Sequence, residues 1–255
     1  MILSHSIDSV LRELDEDLGV KTVERQIAVP SIKTGLMIAG QPAIQSYETR
    51  TVNVMIEQWS KLVGILFCPP TSNLGKEEIT PNLVYFHHRS GRFVDFFCVG
   101  YGALGPSAQG HDSNLVVACV DQVNWIFSAK DYNSFRAQLE AASCWQYSGE
   151  SELLLLVARK QHETEVSLDF STAIACNLER MLKDEAFSSV RAFFEQIFRF
   201  GDTYQGSDPV WDLSDRMGLQ MGKNFLLEAI LSLLPEATSK AYRSAKHYAI
   251  RDISK

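Results

Sequence analysis

No two cysteines stand in a C-x-x-C pair: Cys68, Cys98, Cys119, Cys144 and Cys176 are widely spaced and odd in number. That pattern supplies neither a zinc ribbon nor a disulfide framework. Cys68, Cys98 and Cys119 sit in apolar runs and the other two in helix-like stretches, so all five read as reduced, buried small hydrophobes. H-x-H, H-x-x-H and H-E-x-x-H are also missing, and neither a metal nor another cofactor is expected. No apolar run approaches the ~20 residues that a membrane span needs. The first residues, Met-Ile-Leu-Ser-His-Ser-Ile-Asp, lack the basic start and long apolar stretch of a signal peptide, which makes a cytoplasmic location the expectation. Basic surplus is absent too. The net charge of −7 argues against a protein that grips nucleic acid by broad counterion release.

What is present is an ordinary core. At 255 residues, 45% apolar and 22% charged, the chain can hold one large domain or a domain with a helical appendage. Its charge is uneven. Residues 1–19 carry Arg12 against five acids, whereas residues 236–255 carry five bases against two acids.

Hydrophobic spacing predicts a first helix over residues 6–18, with Ser6 as N-cap and Ile7, Val10, Leu11, Leu14 and Leu18 on one face. Residues 20–47 are mixed. Val52, Met55, Ile56, Trp59 and Leu62 then fit a second helix from Thr49. Three times the order helix, glycine, short apolar strand recurs: Gly64 before Ile65–Cys68, Gly91 before Phe93–Val99, and Gly149 before Leu153–Ala158. Residues 83–98 read either as a helix and a strand or as a β-hairpin; Thr80-Pro81, a good N-cap and first-turn pair, favours the helix. Leu115–Val120 reads as another strand. Beyond about residue 170 the pattern turns helical, with Ile174, Leu178 and Met181 on one face and Val190, Phe194, Ile197 and Phe198 on another. Further helices are expected over residues 214–234 and 236–250. Uninterrupted apolar strands suggest burial on both faces, the habit of a parallel sheet between helices.

The expected fold is therefore α/β: a mostly parallel buried sheet flanked by helices, with an N-terminal helical segment and a C-terminal helical subdomain. The organisation divides into an N-terminal helix and connecting segment (1–49), an α/β core (50–170) and a C-terminal helical region packed on the core (171–255).

The stretch Gly100-Tyr101-Gly102-Ala103-Leu104-Gly105 formally matches G-x-G-x-x-G. That fingerprint works when a helix follows and aims its N-terminus at a pyrophosphate. Here the next residues lack helical periodicity, and a strand begins near Leu115, leaving no room for the crossover helix. The glycines thus read as a turn at the carboxyl end of a strand, where open α/β sheets place ligands, and Gly100, Gly102 and Gly105 are ligand-binding candidates. Cys68 ends a strand on the same expected rim, with His111 and Asp112 topologically near, so a Cys–His pair is conceivable. A buried inert thiol is the competing account of Cys68. Asp95, an acid inside Phe93-Val94-Asp95-Phe96-Phe97, needs a partner such as Arg89 or Arg92, a raised pKa, or an exposed edge. His87-His88-Arg89 reads as the cationic last turn of a helix closed by Gly91. Asp208, Asp212 and Asp215 have chelating spacing, but Asp208-Pro209 is also a ready helix cap.

On the expected last helix, Lys240, Arg243, His247 and Arg251 form a basic stripe that is either a solvated face or a docking face for an acidic partner. No acid/base, metal or nucleophile constellation reaches a convincing spacing. The functional expectation is a binding or accessory subunit of a protein complex, with a protein partner or a homo-oligomer. The alternative is an enzyme for a small phosphate-bearing or nucleotide substrate at the loops leaving the core strands, with Cys68, Asp95, His111 and Asp112 as catalytic candidates. Nucleic-acid contact through the C-terminal stripe is the weaker alternative, and no membrane association is expected.

Overall fold

The computed structural model describes residues 6–31, 37–38, 41–42, 46–91, 94–104, 115–120, 123–160, 165–207, 222–244 and 249–253. In chain order the elements are α1 (Ile7–Asp17), β1 (Gly19–Ser31), β2 (Met37–Ile38), β3 (Gln41–Pro42), β4 (Ser46–Gln58), β5 (Ser60–Phe67), α2 (Leu83–Arg89), β6 (Val94–Cys98), β7 (Tyr101–Leu104), β8 (Leu115–Val120) and β9 (Val123–Phe127). They continue with α3 (Ala129–Ala142), β10 (Glu152–Arg159), β11 (Ser167–Asn177), α4 (Leu178–Lys183), α5 (Val190–Ser207), α6 (Gly222–Ser232), α7 (Glu236–Ser244) and β12 (Ile250–Asp252).

The mixed α/β class is as expected, but the main sheet is mostly antiparallel, not mostly parallel. Its order is β12-β11-β10-β5-β6, and among these pairs only β5 and β6 run parallel. Continuous apolar strands report burial on both faces, and that burial needs helices above and below, not a common strand direction. All of β5 and nearly all of β10 are buried. Register parity puts Phe67 and Phe96 on opposite faces. Phe67 meets Tyr132 and Phe135 of α3 edge-on, and Trp145 at 4.7 Å between ring centroids. Phe96 meets Phe194 and Phe198 of α5, and Phe86 of α2.

The expected helix from Thr49 is a strand. Val52, Met55, Ile56 and Trp59 do fall at helical spacing, but Thr51-Val52-Asn53-Val54-Met55-Ile56 also alternates with period two and is rich in β-branched residues, whose stiff side chains suit a pleated surface. β4 pairs with β1 through thirteen antiparallel partners, from Gly19↔Gln58 to Ser31↔Ser46, and forms a long two-stranded ribbon. The expected helix after residue 170 is likewise corrected. Ile174 lies in β11, and only Leu178 and Met181 belong to the short α4 that Asn177 caps by accepting from the Arg180 amide. α7 ends at Ser244, and Ile250–Asp252 joins the main sheet as an edge strand.

Other expectations hold. Ser6 caps α1 in a capping box with Ser9, and Val10 and Leu14 are buried. Residues 83–98 are helix and then strand. Gly91 closes that helix at φ +112°, and Gly149 turns the chain before β10 at φ +87°. Gly64 breaks the helix–glycine–strand rhythm. It sits inside β5, where a Cβ would come within 2.7 Å of the Phe96 ring. The stretch read as a glycine turn is a tight turn at Gly100 followed by β7, which pairs with β9 in a second sheet of order β7-β9-β8. β8, the strand expected at Leu115–Val120, is its outer strand.

Candidate functional site

Cys68 follows β5 and is wholly buried. Its Sγ lies 3.1 Å from Ser151 Oγ and 3.5 Å from Ser72 Oγ, while Ser151 Oγ donates to Glu179 Oε1 at 2.8 Å. Burial pushes the thiol pKa up and outweighs the two hydroxyl contacts, so the group stays protonated and is a poor nucleophile. The hydrogen bonds tie the ends of β5, β10 and α4 together. They form a polar joint in the core.

Asp95 is buried on β6 and pairs with neither Arg89 nor any other described arginine. Its partner is Lys61, whose Nζ donates to Asp95 Oδ1 at 2.7 Å, Asp17 Oδ2 at 2.7 Å and Gly91 O at 2.6 Å. Burial lifts the Asp95 carboxyl to about 6 even though Lys61 pulls the other way. Oδ2 has no hydrogen-bond partner among the described residues. Asp95 stands beside Val63 in the register. Cys68 lies five residues further along β5, roughly 16 Å away, with opposite parity. The two therefore occupy different ends and faces of the sheet and are not brought together. His111, Asp112 and Gly105 lie outside the described residues.

Gly100 is buried at φ +81°; a Cβ there would meet the Phe127 ring at 2.8 Å and Ser128 O at 3.1 Å. Its carbonyl accepts from Ser128 N at 2.7 Å, which fastens the turn to the start of α3. Gly102 is buried in β7 opposite Ile126.

The basic stripe is split. Lys240 pairs with Glu236 one turn back, and Arg243 Nη2 lies 2.7 Å from Glu228 Oε2 on α6. Arg251 belongs to β12, where it donates to the buried Glu152 at 2.8 and 3.1 Å and to Gln146 O. His247 lies outside the described residues, as do Asp208, Asp212 and Asp215. Trp145 Nε1 also donates to Glu152, at 2.7 Å, so Arg251 completes a buried polar joint.

Sequence reasoning missed a surface cluster joining α2 to α5. Glu195 accepts hydrogen bonds from Tyr85 OH, from Arg89 through two nitrogens and from Arg199. Arg191 lies 4.3 Å from the centre of the Tyr85 ring. Helical spacing alone does not reveal such a pairing across a hundred residues. It also missed the ribbon, for which the alternation at Thr51–Ile56 was the available signal.

Among the described residues, most of the large apolar side chains that meet solvent lie on the ribbon and β8. Val20 is 52% exposed, Ile27 42% and Met55 67% on the ribbon; Leu115 and Val116 are 54% and 56% exposed on β8. The ribbon register puts Ile27, Val52 and Val54 on one face and Val20 and Met55 on the other. The ion pairs of Lys61 with Asp17 and Asp95 lie at the root of the ribbon, where α1 leads into β1 and β4 into β5. No group of three metal-ligating side chains occurs among the described residues, and no described helix is long and apolar enough to cross a membrane.

Set against protein-family models, curated proteins and solved structures, the chain matches none of them.

Proposed function

We propose that this chain is a protein-binding or accessory subunit of an assembly and that the β1/β4 ribbon is its contact element. The observation that carries the reading is a thirteen-pair ribbon with large apolar residues exposed on both faces. A two-stranded ribbon is marginal alone in water, and covering its apolar face is what stabilises it. At roughly 3.4 Å per residue it reaches about 40 Å, a length suited to wrapping a partner. The polar groups inside the sheet support the same reading, because each serves a joint between elements: Cys68 with Ser151 and Glu179, Asp95 with Lys61 and Asp17, Glu152 with Trp145 and Arg251. All five cysteines are free, in keeping with a reducing, cytoplasmic setting.

The test is tagged full-length protein purified from its native host, beside Ile27→Lys with Met55→Glu. The wild type should carry a stoichiometric protein partner, its own kind or another, and the double variant should lose it with an unchanged melting temperature. A wild-type protein that elutes alone as a monomer overturns the reading.

A further inference from the structure

The side of β11 away from β10 holds a short strand of the same chain, and that occupant shows what the place recognises. We infer that this side of β11 is a strand-binding site, held in cis by residues 249–253 and fitted to an extended segment of a partner protein with a small residue, an arginine and an aliphatic residue at alternate positions. The site is separate from the ribbon and stands whether or not the ribbon binds.

The main chain supplies the seat. β12 joins β11 antiparallel through Ile174↔Asp252, Ala175↔Arg251 and Cys176↔Ile250. Asn177 N donates to Ala249 O at 2.7 Å and Ile253 N to Ala173 O at 3.1 Å, so the bonding continues one residue past β12 at each end. Backbone pairing of this kind holds any extended segment, and side chains at alternate positions then make the choice among segments. Here Ala249, Arg251 and Ile253 alternate onto one face, and Ala249 and Ile253 are buried.

Selectivity centres on Glu152. The register runs from Arg251 to Ala175 of β11 and on to Leu154 of β10, two residues from Glu152, so Arg251 and Glu152 share a face two strands apart. Ala175 stands between them, and its single methyl lets the guanidinium reach across β11. Arg251 Nη2 lies 2.8 and 3.1 Å from the carboxylate oxygens and donates to Gln146 O at 3.1 Å. Glu152 is buried, and its contact with the Trp145 indole supplies no charge. A buried carboxylate deprived of its cation is costly, so a strand that takes this seat must bring an arginine.

The occupant is held by little backbone. Three register pairs join β12 to β11, against eight between β5 and β10. Elements with few pairs open at free energies well below that of global unfolding. Arg251 is 38% exposed even when docked. A different protein is favoured over the same segment of a second copy. The copy repeats the contacts of residues 249–253 without their tether to α7, which ends at Ser244, and such a tether is worth a roughly millimolar effective concentration. A foreign strand displaces the cis segment by adding contacts beyond these five residues.

Two measurements on the full chain test the site. In wild type, amide hydrogen exchange is followed at Asn177 and Ile253, whose N–H groups bond across to Ala173 and Ala249, and at Leu178, whose N–H bonds to Ser151 O and does not depend on β12. Asn177 and Ile253 should exchange at least about tenfold faster than Leu178, because the segment leaves without the rest of the sheet. Equal rates at all three overturn the exchange. The second measurement uses the variant Arg251→Ala with Ile253→Asp, which loosens the cis segment, and a synthetic peptide of the sequence Tyr248–Ser254. The peptide should bind saturably, read by tryptophan emission and by a rise in melting temperature. The same peptide carrying Arg251→Ala should bind at least about tenfold more weakly. Adding Glu152→Gln to the protein should abolish that preference, so that both peptides bind alike. A natively folded variant that ignores the peptide overturns the site. A preference that survives Glu152→Gln overturns the assignment of selectivity to Glu152. Wild type that doubles its 28.6 kDa mass by trading the segment between copies overturns the foreign partner.

Discussion

Lys61 Nζ lies 2.7 Å from Asp95 Oδ1, and both side chains are at most 2% exposed. All three ammonium protons find acceptors: one on β6, one on α1 and one on the Gly91 carbonyl. A buried pair contributes little relative to an apolar substitute, but removing one member leaves the other charged and unpaired. Lys61→Met should therefore cost about 3–5 kcal/mol in urea unfolding. Asp95→Asn, which keeps an acceptor for the ammonium, should cost clearly less. Equal stability of Lys61→Met and wild type would remove this joint from the account of how α1 is held.

The same pair sets a pH dependence of unusual sign. Asp95 is lifted from 3.8 to about 6, chiefly by burial, so between those values the folded protein binds a proton that the unfolded chain has released. The contribution is present below about 4 and is lost as pH rises through about 6. Glu13 shifts the same way through burial and through Asp17. Unfolding free energies measured from pH 4 to 7 should fall more steeply with pH in wild type than in Asp95→Asn. Parallel curves would contradict the assignment.

Glu195 shows the opposite balance. Burial pushes it up, but hydrogen bonds from Tyr85, Arg199 and Arg89 outweigh that and hold it at about 2. Its stabilisation is present above the ordinary value of 4.5 and is lost as pH falls toward about 2. Because Arg89 and Arg199 are 40% and 76% exposed, solvent screens the pairs. Glu195→Gln should cost about 1 kcal/mol near neutral pH. The difference from wild type should shrink on acidification between about 4.5 and 2, as chemical denaturation at each pH would record.

How far the fold was legible depended on whether one periodicity described one element. α1, α2, α3 and α5 carry uninterrupted helical stripes or clear caps, and their positions follow from sequence. β4 and β11 do not, because apolar residues at i, i+3, i+4 and i+7 also occur by chance in an alternating strand or across a strand–helix junction such as Ile174 to Met181. The sheet direction was not legible at all. Burial on both faces of β10 comes from helices packed on each side and is the same for either polarity. Among the site residues, Asp95 was flagged correctly as an acid in need of a partner. Lys61 went unseen because the partner of a buried charge is chosen by register, here one strand over, and not by proximity in sequence.

Gly100 tests the reinterpreted glycine stretch. Its φ of +81° disfavours any side chain, and a Cβ would press on Phe127, Tyr132 and Ser128. These neighbours are a ring carbon, a Cβ and a carbonyl oxygen in a filled core, so they yield little. Gly100→Ala should cost about 2–4 kcal/mol by thermal or urea unfolding. Gly91→Ala, at φ +112° but with nothing within 4 Å, should cost only the backbone strain, about 1 kcal/mol. Equal losses at the two positions would mean that packing at Gly100 contributes nothing.

Arg251 and Arg243 separate architecture from surface. Arg251 is 38% exposed, yet it donates to Glu152, which is 2% exposed and otherwise held by the Trp145 indole. Arg251→Ala should strip a buried carboxylate of its countercharge, costing about 2 kcal/mol once the solvent access of the guanidinium is discounted. It should also shift the Trp145 fluorescence, because the indole donates to that same carboxylate. The Arg243–Glu228 pair is about half exposed on both sides, so Arg243→Ala should leave stability within about 0.5 kcal/mol. If the C-terminal bases recruit a partner, Arg243→Ala lowers affinity without touching the melting temperature, whereas Arg251→Ala lowers the melting temperature first. A stable Arg251→Ala protein with unchanged tryptophan emission would contradict the joint between β12 and β10.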